Sequence, residues 1–146
     1  YLRALSHAVA HCWREPVLDK PLLSTSEELL RYLHHKMAFS RVEQFRVLFL
    51  DAENKLLADE LMWEGTVNGV QVHNREVIAR ALDHGATALI LVHNHPSGSV
   101  TPSSEDLRLT RRLVAACEPF DLTIQDHLII SEGACFSMRL RRVMQS

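Results

Sequence analysis

The spacing of apolar residues changes several times along the chain, and each spacing predicts a different element. Residues 1–14 carry apolar side chains at helical intervals, which predicts a short amphipathic helix, and a linker with Pro16 and Pro21 follows. A second helix is predicted to run through about Met37, because residues 24–26 offer N-cap side chains and acidic residues follow them. Both helices need a surface to cover their apolar sides.

The pattern then becomes typical of β-strands. Residues 42–50 are β-rich, and period-two alternation places four side chains on one face of the predicted strand: Glu43, Phe45, Val47 and Phe49. A turn at residues 51–54 predicts an antiparallel partner at residues 55–63, and a third strand is predicted around residues 66–72.

The next segment alternates helices with apolar strands. Asn74 is predicted to cap a helix that ends at Gly85, a residue suited to the left-handed C-terminal position. The continuous apolar run at residues 86–92 predicts a strand buried on both faces. A further helix is predicted after residue 103, with its arginines mainly outward and an inward stripe of Leu107, Leu113, Val114 and Cys117. Two closing strands, near residues 123–131 and 134–138, complete a mixed α/β domain.

Composition narrows the class of protein. A chain of 146 residues has the size of one domain, and hydrophobic and charged contents of 47% and 23% are ordinary for soluble globular proteins. No apolar run is long enough to span a bilayer and no signal peptide opens the chain, so we expect a cytoplasmic protein without a membrane partner. The formal net charge of −2 gives no support to nucleic acid as a partner, and a homodimer stays an open alternative.

The cysteines argue against two further kinds of site. Cys12, Cys117 and Cys135 are odd in number and widely spaced, without a CxxC pair, which speaks against a disulfide framework and against a thiolate zinc site. The chain also lacks the HExxH motif of thermolysin-like proteases and the HxE and PCxxC pair of zinc deaminases.

Two histidines close the buried apolar run and predict a metal site. Side chains two residues apart on a strand point the same way, so His93 and His95 should share one face while Asn94 points oppositely. A catalytic zinc generally takes three protein ligands, and Asp106 is the nearest carboxylate candidate. The competing interpretation is local, because Ser103 and Asp106 also have the spacing of a helix capping box.

The whole motif resembles a known family. His93-x-His95, seven residues, Ser103, two residues and Asp106 match the signature of JAMM (MPN-type) metalloprotease domains. More narrowly, the segments HNHPSG and DHLII, at residues 93–98 and 126–130, resemble the RadC family of bacterial proteins. The resemblance extends from about residue 22 to residue 131.

The resemblance implies a fold, a site and a domain division. It implies a JAMM/MPN-like, cytidine deaminase-like α/β fold, in which a curved mixed sheet lies between layers of helices. It also implies a zinc ion (Zn²⁺) held by His93, His95 and Asp106, a catalytic glutamate on an early strand, matched by Glu43, and a serine that helps to hold an oxyanion, matched by Ser103.

We therefore expect residues 22–146 to form the RadC-like domain. Residues 1–21 would be an N-terminal helix and linker, the remnant of a trimmed helical domain or the start of a short family member.

The expected activity is that of a zinc-dependent metallohydrolase, a peptidase or isopeptidase acting on a peptide or protein substrate. Zinc would lower the pKa of its water to about 7 and polarise the scissile carbonyl. Glu43 would take the water's proton and Ser103 would donate toward developing negative charge. The alternative is a DNA-repair-associated accessory or DNA-binding protein with a structural or vestigial zinc site.

The remaining polar residues of the DHLII segment have open roles. Asp126 and His127 should lie on opposite faces of a strand, so at most one of them can face the site. Asp126 could accept the second N–H of a metal-binding imidazole, or it could make a structural hydrogen bond at the strand end. The other histidines are expected outside the site: His7, His11, His34, His35, His73 and His84.

Overall fold

The computed structural model of the chain describes residues 26–65 and 71–139. Along these ranges it contains helices α1 (Glu27–Met37), α2 (Asn74–His84) and α3 (Ser104–Cys117), a 3₁₀ turn (Glu118–Phe120), and strands β1 (Glu43–Leu50), β2 (Leu56–Gly65), β3 (Ala88–Asn94), β4 (Thr123–Ile130) and β5 (Cys135–Ser137). The predicted helix at residues 1–14 and its linker lie outside the described residues.

The five strands form one mixed sheet in the order β2-β1-β3-β4-β5. Strand β1 pairs antiparallel with both β2 and β3, while β3 and β4 are parallel and β5 returns antiparallel to β4. A parallel pair needs a crossover connection, and α3 supplies it between β3 and β4. Strand β3 is the third of the five strands and lies at the centre of the sheet.

Helices cover both faces of the sheet. On one face α1 packs with Leu29 and Leu33 against Leu48, Ile90 and other side chains of the sheet. On the other face α2 and α3 pack against a cluster that contains Phe45, Val47, Phe49, Leu89 and Leu91. This three-layer arrangement confirms the predicted α/β fold class and the alternation along β1. Every residue of β3 is buried, as the continuous apolar run predicted.

Two predictions about helix ends and faces were wrong. The N-cap of α2 is His73, and Asn74 is its first helical residue, whose Oδ1 accepts a hydrogen bond from Arg112 Nε at 3.1 Å. The buried stripe of α3 contains Leu109 and Thr110, whereas Val114 is exposed.

The buried face of α3 has a local cause. The buried residues of this helix are Asp106, Leu109, Thr110, Leu113 and Cys117, which follow the helical period starting from Asp106. A capping box turns Asp106 inward, and this sets the face that follows; Leu107, one residue on, is only partly buried.

Residues 71–72 are described and do not lie in a strand, while residues 66–70 of the predicted third strand lie outside the described ranges. Across the described ranges, no helix combines the length and the apolar character needed to cross a membrane.

Candidate metal centre

The carboxyl end of β3 brings the two histidines of the motif together. His93 is the penultimate residue of β3, and His95 follows directly, its backbone N–H donating to Ile130 O at 2.9 Å alongside β4. The two Nε2 atoms lie 2.7 Å apart. Asn94 points to the opposite face, so the predicted alternation is confirmed.

Asp106 reaches the same point from the start of α3. Its Oδ1 lies 3.2 Å from His93 Nε2, and its Oδ2 lies 3.4 Å from His95 Nε2. The same residue closes a capping box with Ser103: Asp106 N donates to Ser103 Oγ at 3.1 Å, and Ser103 N donates to Asp106 Oδ2 at 2.7 Å. The two competing interpretations of Asp106 therefore hold together, because the cap is what aims its carboxylate at the histidines.

His95 is oriented by the loop that follows it. Its Nδ1 lies 2.7 Å from Ser99 O, and a carbonyl oxygen only accepts, so Nδ1 carries a hydrogen and Nε2 is the atom that can bind a metal once it holds no proton. Gly98 adopts a φ of 89° and donates its N–H to His95 O at 3.0 Å. This positive φ favours glycine, and it allows the loop to bring Ser99 back to the ring.

His93 is oriented by a buried residue that the motif does not include. His93 Nδ1 lies 2.8 Å from His127 Nε2, and His127 Nδ1 lies 2.6 Å from Thr110 Oγ1. The residue that contacts the imidazole of the candidate ligand His93 is therefore His127. Asp126 instead accepts from Ser137 Oγ at 2.6 Å and Arg139 N at 3.0 Å. Of its two predicted roles, Asp126 has the structural one.

Burial and hydrogen bonding set the charges of the centre. Burial by itself would raise the pKa of Asp106, but the contacts with His93 and His95 outweigh it and hold that pKa well below its usual range. The hydrogen bond to Asp106 raises the pKa of His95 against the opposing effect of burial. Complete burial lowers the pKa of His127 far below its ordinary value, and the neighbouring His93 lowers it further, so His127 is neutral at pH 7.

The donor set fits a zinc ion. One ligand atom from each of His93, His95 and Asp106 lies within 4.8 Å of the others, which forms a group able to hold a metal. Two imidazole nitrogens and one carboxylate oxygen are ligands that zinc takes in catalytic sites. The two Nε2 atoms lie 2.7 Å apart, and both face this carboxylate.

Glu43 lies at the mouth of the centre. Phe45 pairs with His93 across β1 and β3, and continuing this antiparallel register by two residues brings Glu43 beside His95. Both residues line a cavity of about 420 Å³, together with Arg41 and Ser103. Glu43 is half-buried, and within residues 26–65 and 71–139 its carboxylate has no hydrogen-bond partner. Its carboxylate is thus available for proton transfer.

Asn94 holds the backbone on both sides of Glu43, a role that sequence reasoning missed. Its Oδ1 accepts from Gln44 N at 2.7 Å, and its Nδ2 donates to Val42 O at 3.0 Å. The side chain is buried, and a buried polar group normally has hydrogen-bond partners. An asparagine at the end of an otherwise apolar buried strand was the signal that could have indicated this role.

The Ser103 hydroxyl can accept the hydrogen bond of the helix cap and donate one into the cavity at the same time. Its Oγ accepts from Asp106 N, which uses one lone pair of the hydroxyl. A serine hydroxyl has one hydrogen and two lone pairs, so the hydrogen remains available to a group in the cavity. Ser103 is exposed and lines that cavity.

The chain is similar to known proteins over most of its length. The family model of the RadC-like JAB domain matches residues 23–143, and the chain belongs to this family. It is 48% identical over 138 residues to a UPF0758 protein of Rhodobacter capsulatus, covering 94% of this chain and 64% of the relative. A UPF0758 protein of Ruegeria pomeroyi is also 48% identical over 138 residues, with 94% of this chain and 60% of the relative covered. The chain thus spans less than two thirds of the length of these curated relatives.

Proposed function

We propose that the domain is a zinc-dependent hydrolase of peptidase or isopeptidase type. One observation carries the proposal: His93, His95 and Asp106 form a group able to hold a metal, and His95 lines a cavity together with Glu43, whose half-buried carboxylate has no hydrogen-bond partner in the described ranges. A structural metal site closes its coordination with protein ligands, whereas a catalytic one keeps a position open beside a base.

Each residue of the centre has a separate role in amide hydrolysis. His93, His95 and Asp106 would hold zinc, which when bound polarises a carbonyl and lowers the pKa of water. Glu43 accepts the proton that the attacking water loses and returns it to the leaving amine. The Ser103 hydroxyl donates toward the carbonyl oxygen as negative charge develops there.

The cavity supports a peptide or protein as the substrate. It lies where β1 begins and β2 ends, next to the loop after β3, and Arg41 and Gly65 are among its lining residues. A site at the end of a sheet, open on one side, can admit an extended chain carrying an amide bond. The net charge of −2 gives no support to the alternative of a DNA-binding accessory protein.

The replacement Glu43→Gln tests the proposal. Glutamine keeps the shape and can hydrogen-bond water, but it cannot accept a proton at neutral pH. We expect full zinc content by elemental analysis, with turnover of a substrate found in a peptide and isopeptide library lower by about 10²–10⁴-fold. Glu64→Gln is the matched control, because Glu64 is exposed and pairs with Gln44, whose side chain alternates with that of Glu43.

Different outcomes contradict different parts of the proposal. Zinc loss in Glu43→Gln would make Glu43 a ligand, and an unchanged turnover would place the base elsewhere. A zinc-loaded wild type that cleaves no member of the library would contradict peptidase activity. DNA binding by that protein, retained in Glu43→Gln, would favour the accessory role.

A further inference from the structure

A buried row of polar groups runs behind His93, away from the cavity. It consists of the His127 ring, the Thr110 hydroxyl and the backbone carbonyl of Asp106, and all three residues are at most 5% exposed. Phe45 packs edge-on against the His127 ring, with the ring centroids 5.8 Å apart. Of these three residues only Asp106 belongs to the motif, so the motif by itself does not fix the hydrogen-bond directions along the row.

One group in the row, the backbone carbonyl of Asp106, can only accept a hydrogen bond, and it sets the direction of the others. Thr110 Oγ1 lies 2.6 Å from Asp106 O, a carbonyl oxygen, so the hydroxyl directs its single hydrogen there. Oγ1 is also 3.5 Å from Met138 Sδ, but sulfur is a much weaker acceptor. With its hydrogen used, Oγ1 can only accept from His127 Nδ1 at 2.6 Å. His127 therefore carries its hydrogen on Nδ1.

The row of hydrogen bonds continues from His127 to the candidate metal centre. In a neutral imidazole with a hydrogen on Nδ1, Nε2 is an acceptor, so His127 Nε2 accepts from His93 Nδ1 at 2.8 Å. His93 then has its lone pair on Nε2, the atom that faces His95 and Asp106. If the row ran in the reverse direction, His93 Nε2 would carry a hydrogen and could not bind a metal.

We propose that Thr110, acting through His127, fixes the tautomer of His93 in which Nε2 is free to bind zinc. Thr110 and His127 are thus positioning residues for a metal ligand, at a distance from the cavity and from any substrate. The inference rests on the metal-binding part of the proposed function. It assigns to the family's DHLII segment and to the second turn of α3 a role in preparing the ligand.

The replacement Thr110→Val tests the inference, because valine keeps the branched shape and removes the hydroxyl. His127 would lose its acceptor at Nδ1 and could move its hydrogen to Nε2. Thr110→Ser restores the hydroxyl, and Thr123→Val makes the same change at an exposed position of β4.

Two measurements report on the tautomer and its consequence. The ¹⁵N chemical shifts of the ring nitrogens in the metal-free chain, at about pH 8.5 where ordinary histidines are neutral, show which nitrogen carries the hydrogen. Competition with a chromophoric chelator gives the zinc affinity. We expect Thr110→Val to bind zinc about 10–100-fold more weakly, with hydrogen appearing on Nε2 of His127, while the serine variant and Thr123→Val stay near wild type.

The outcomes separate this inference from the proposed function. Metal-free wild type with the hydrogen on Nε2 of His93 or His127 would overturn the inference, as would wild-type zinc affinity in a folded Thr110→Val variant. Wild type that does not bind zinc would contradict the proposed function instead, and the ring-nitrogen shifts would still decide the tautomer.

Discussion

Replacing His95 with alanine separates metal binding from the stability of the fold. The His95 side chain is 12% exposed at the cavity rim, and it supplies one of the three candidate ligand atoms. In the metal-free chain the replacement removes the hydrogen bond to Ser99 O and the attraction to Asp106. We expect the free energy of unfolding of the metal-free variant to fall by about 1–3 kcal/mol from these two contacts.

The larger expected change is in the response to zinc. An ion that binds only the folded state, at a free concentration about 100 times its Kd, adds about 2.7 kcal/mol to the free energy of unfolding. For a domain of this size that gain raises the Tm by about 10 °C. With only His93 and Asp106 left as ligands, the His95→Ala variant should show almost none of this increase.

Scanning calorimetry of chelator-treated protein, with and without added zinc, measures both effects, and elemental analysis after dialysis gives the zinc content. His84→Ala is the matched control. His84 is a half-buried histidine on α2, outside the site, and its Nε2 lies 2.7 Å from Glu60 Oε1. A His95→Ala protein that keeps full zinc content and the wild-type increase in Tm would refute the ligand set.

Two further replacements test the cap and a buried ion cluster. Ser103→Ala should lower the free energy of unfolding by about 1 kcal/mol, because Asp106 N loses its acceptor; it should also lower turnover, and an unchanged turnover would leave Ser103 as a cap alone. Asp59 accepts from Arg46 Nε and Lys36 Nζ, each at 2.8 Å. Asp59→Asn should cost about 3 kcal/mol at pH 7, the lower end for a broken buried ion pair, because the Lys36 side chain is 20% exposed. Burial raises the pKa of Asp59, but the charges of Arg46 and Lys36 outweigh burial and lower that pKa. The stabilisation from this ion cluster is therefore complete above the pKa of unfolded aspartate, about 3.9, and it is lost as the pH falls through the lower pKa of the folded state. Urea unfolding from pH 7 to pH 2 should show a smaller loss in the variant than in wild type, and parallel curves would contradict this role.

Local patterns predicted much of the strand and helix framework. Strand β3 was evident because a run of apolar residues without polar interruption can be satisfied only by burial on both faces. The convergence of His93 and His95 follows from the two-residue period of a strand, and the capping box of α3 from the spacing of Ser103 and Asp106. Each of these features depends on residues within a few positions of one another.

The surroundings of the metal centre depended on contacts between distant parts of the chain. Glu43 comes beside His95 because β1 pairs with β3 in one particular register, and the family resemblance, not its local pattern, had indicated it. Asn94 holds the backbone around Glu43 across the same pairing. No local spacing encodes a strand register, so these neighbours could not be derived from the sequence pattern.

For the same reason the sequence pattern left the role of Asp126 open, and the residue that contacts the His93 imidazole is His127. Strand alternation showed that only one of the two could face the site, and it could not choose between them. The parallel register of β3 with β4 decides it: His127 pairs with Leu91, which shares a face with His93, while Asp126 faces β5. The sequence alone determined the candidate metal-binding motif and the strand that carries it, and the packing of β1, β4 and α3 around that strand decided which residues orient its candidate ligands.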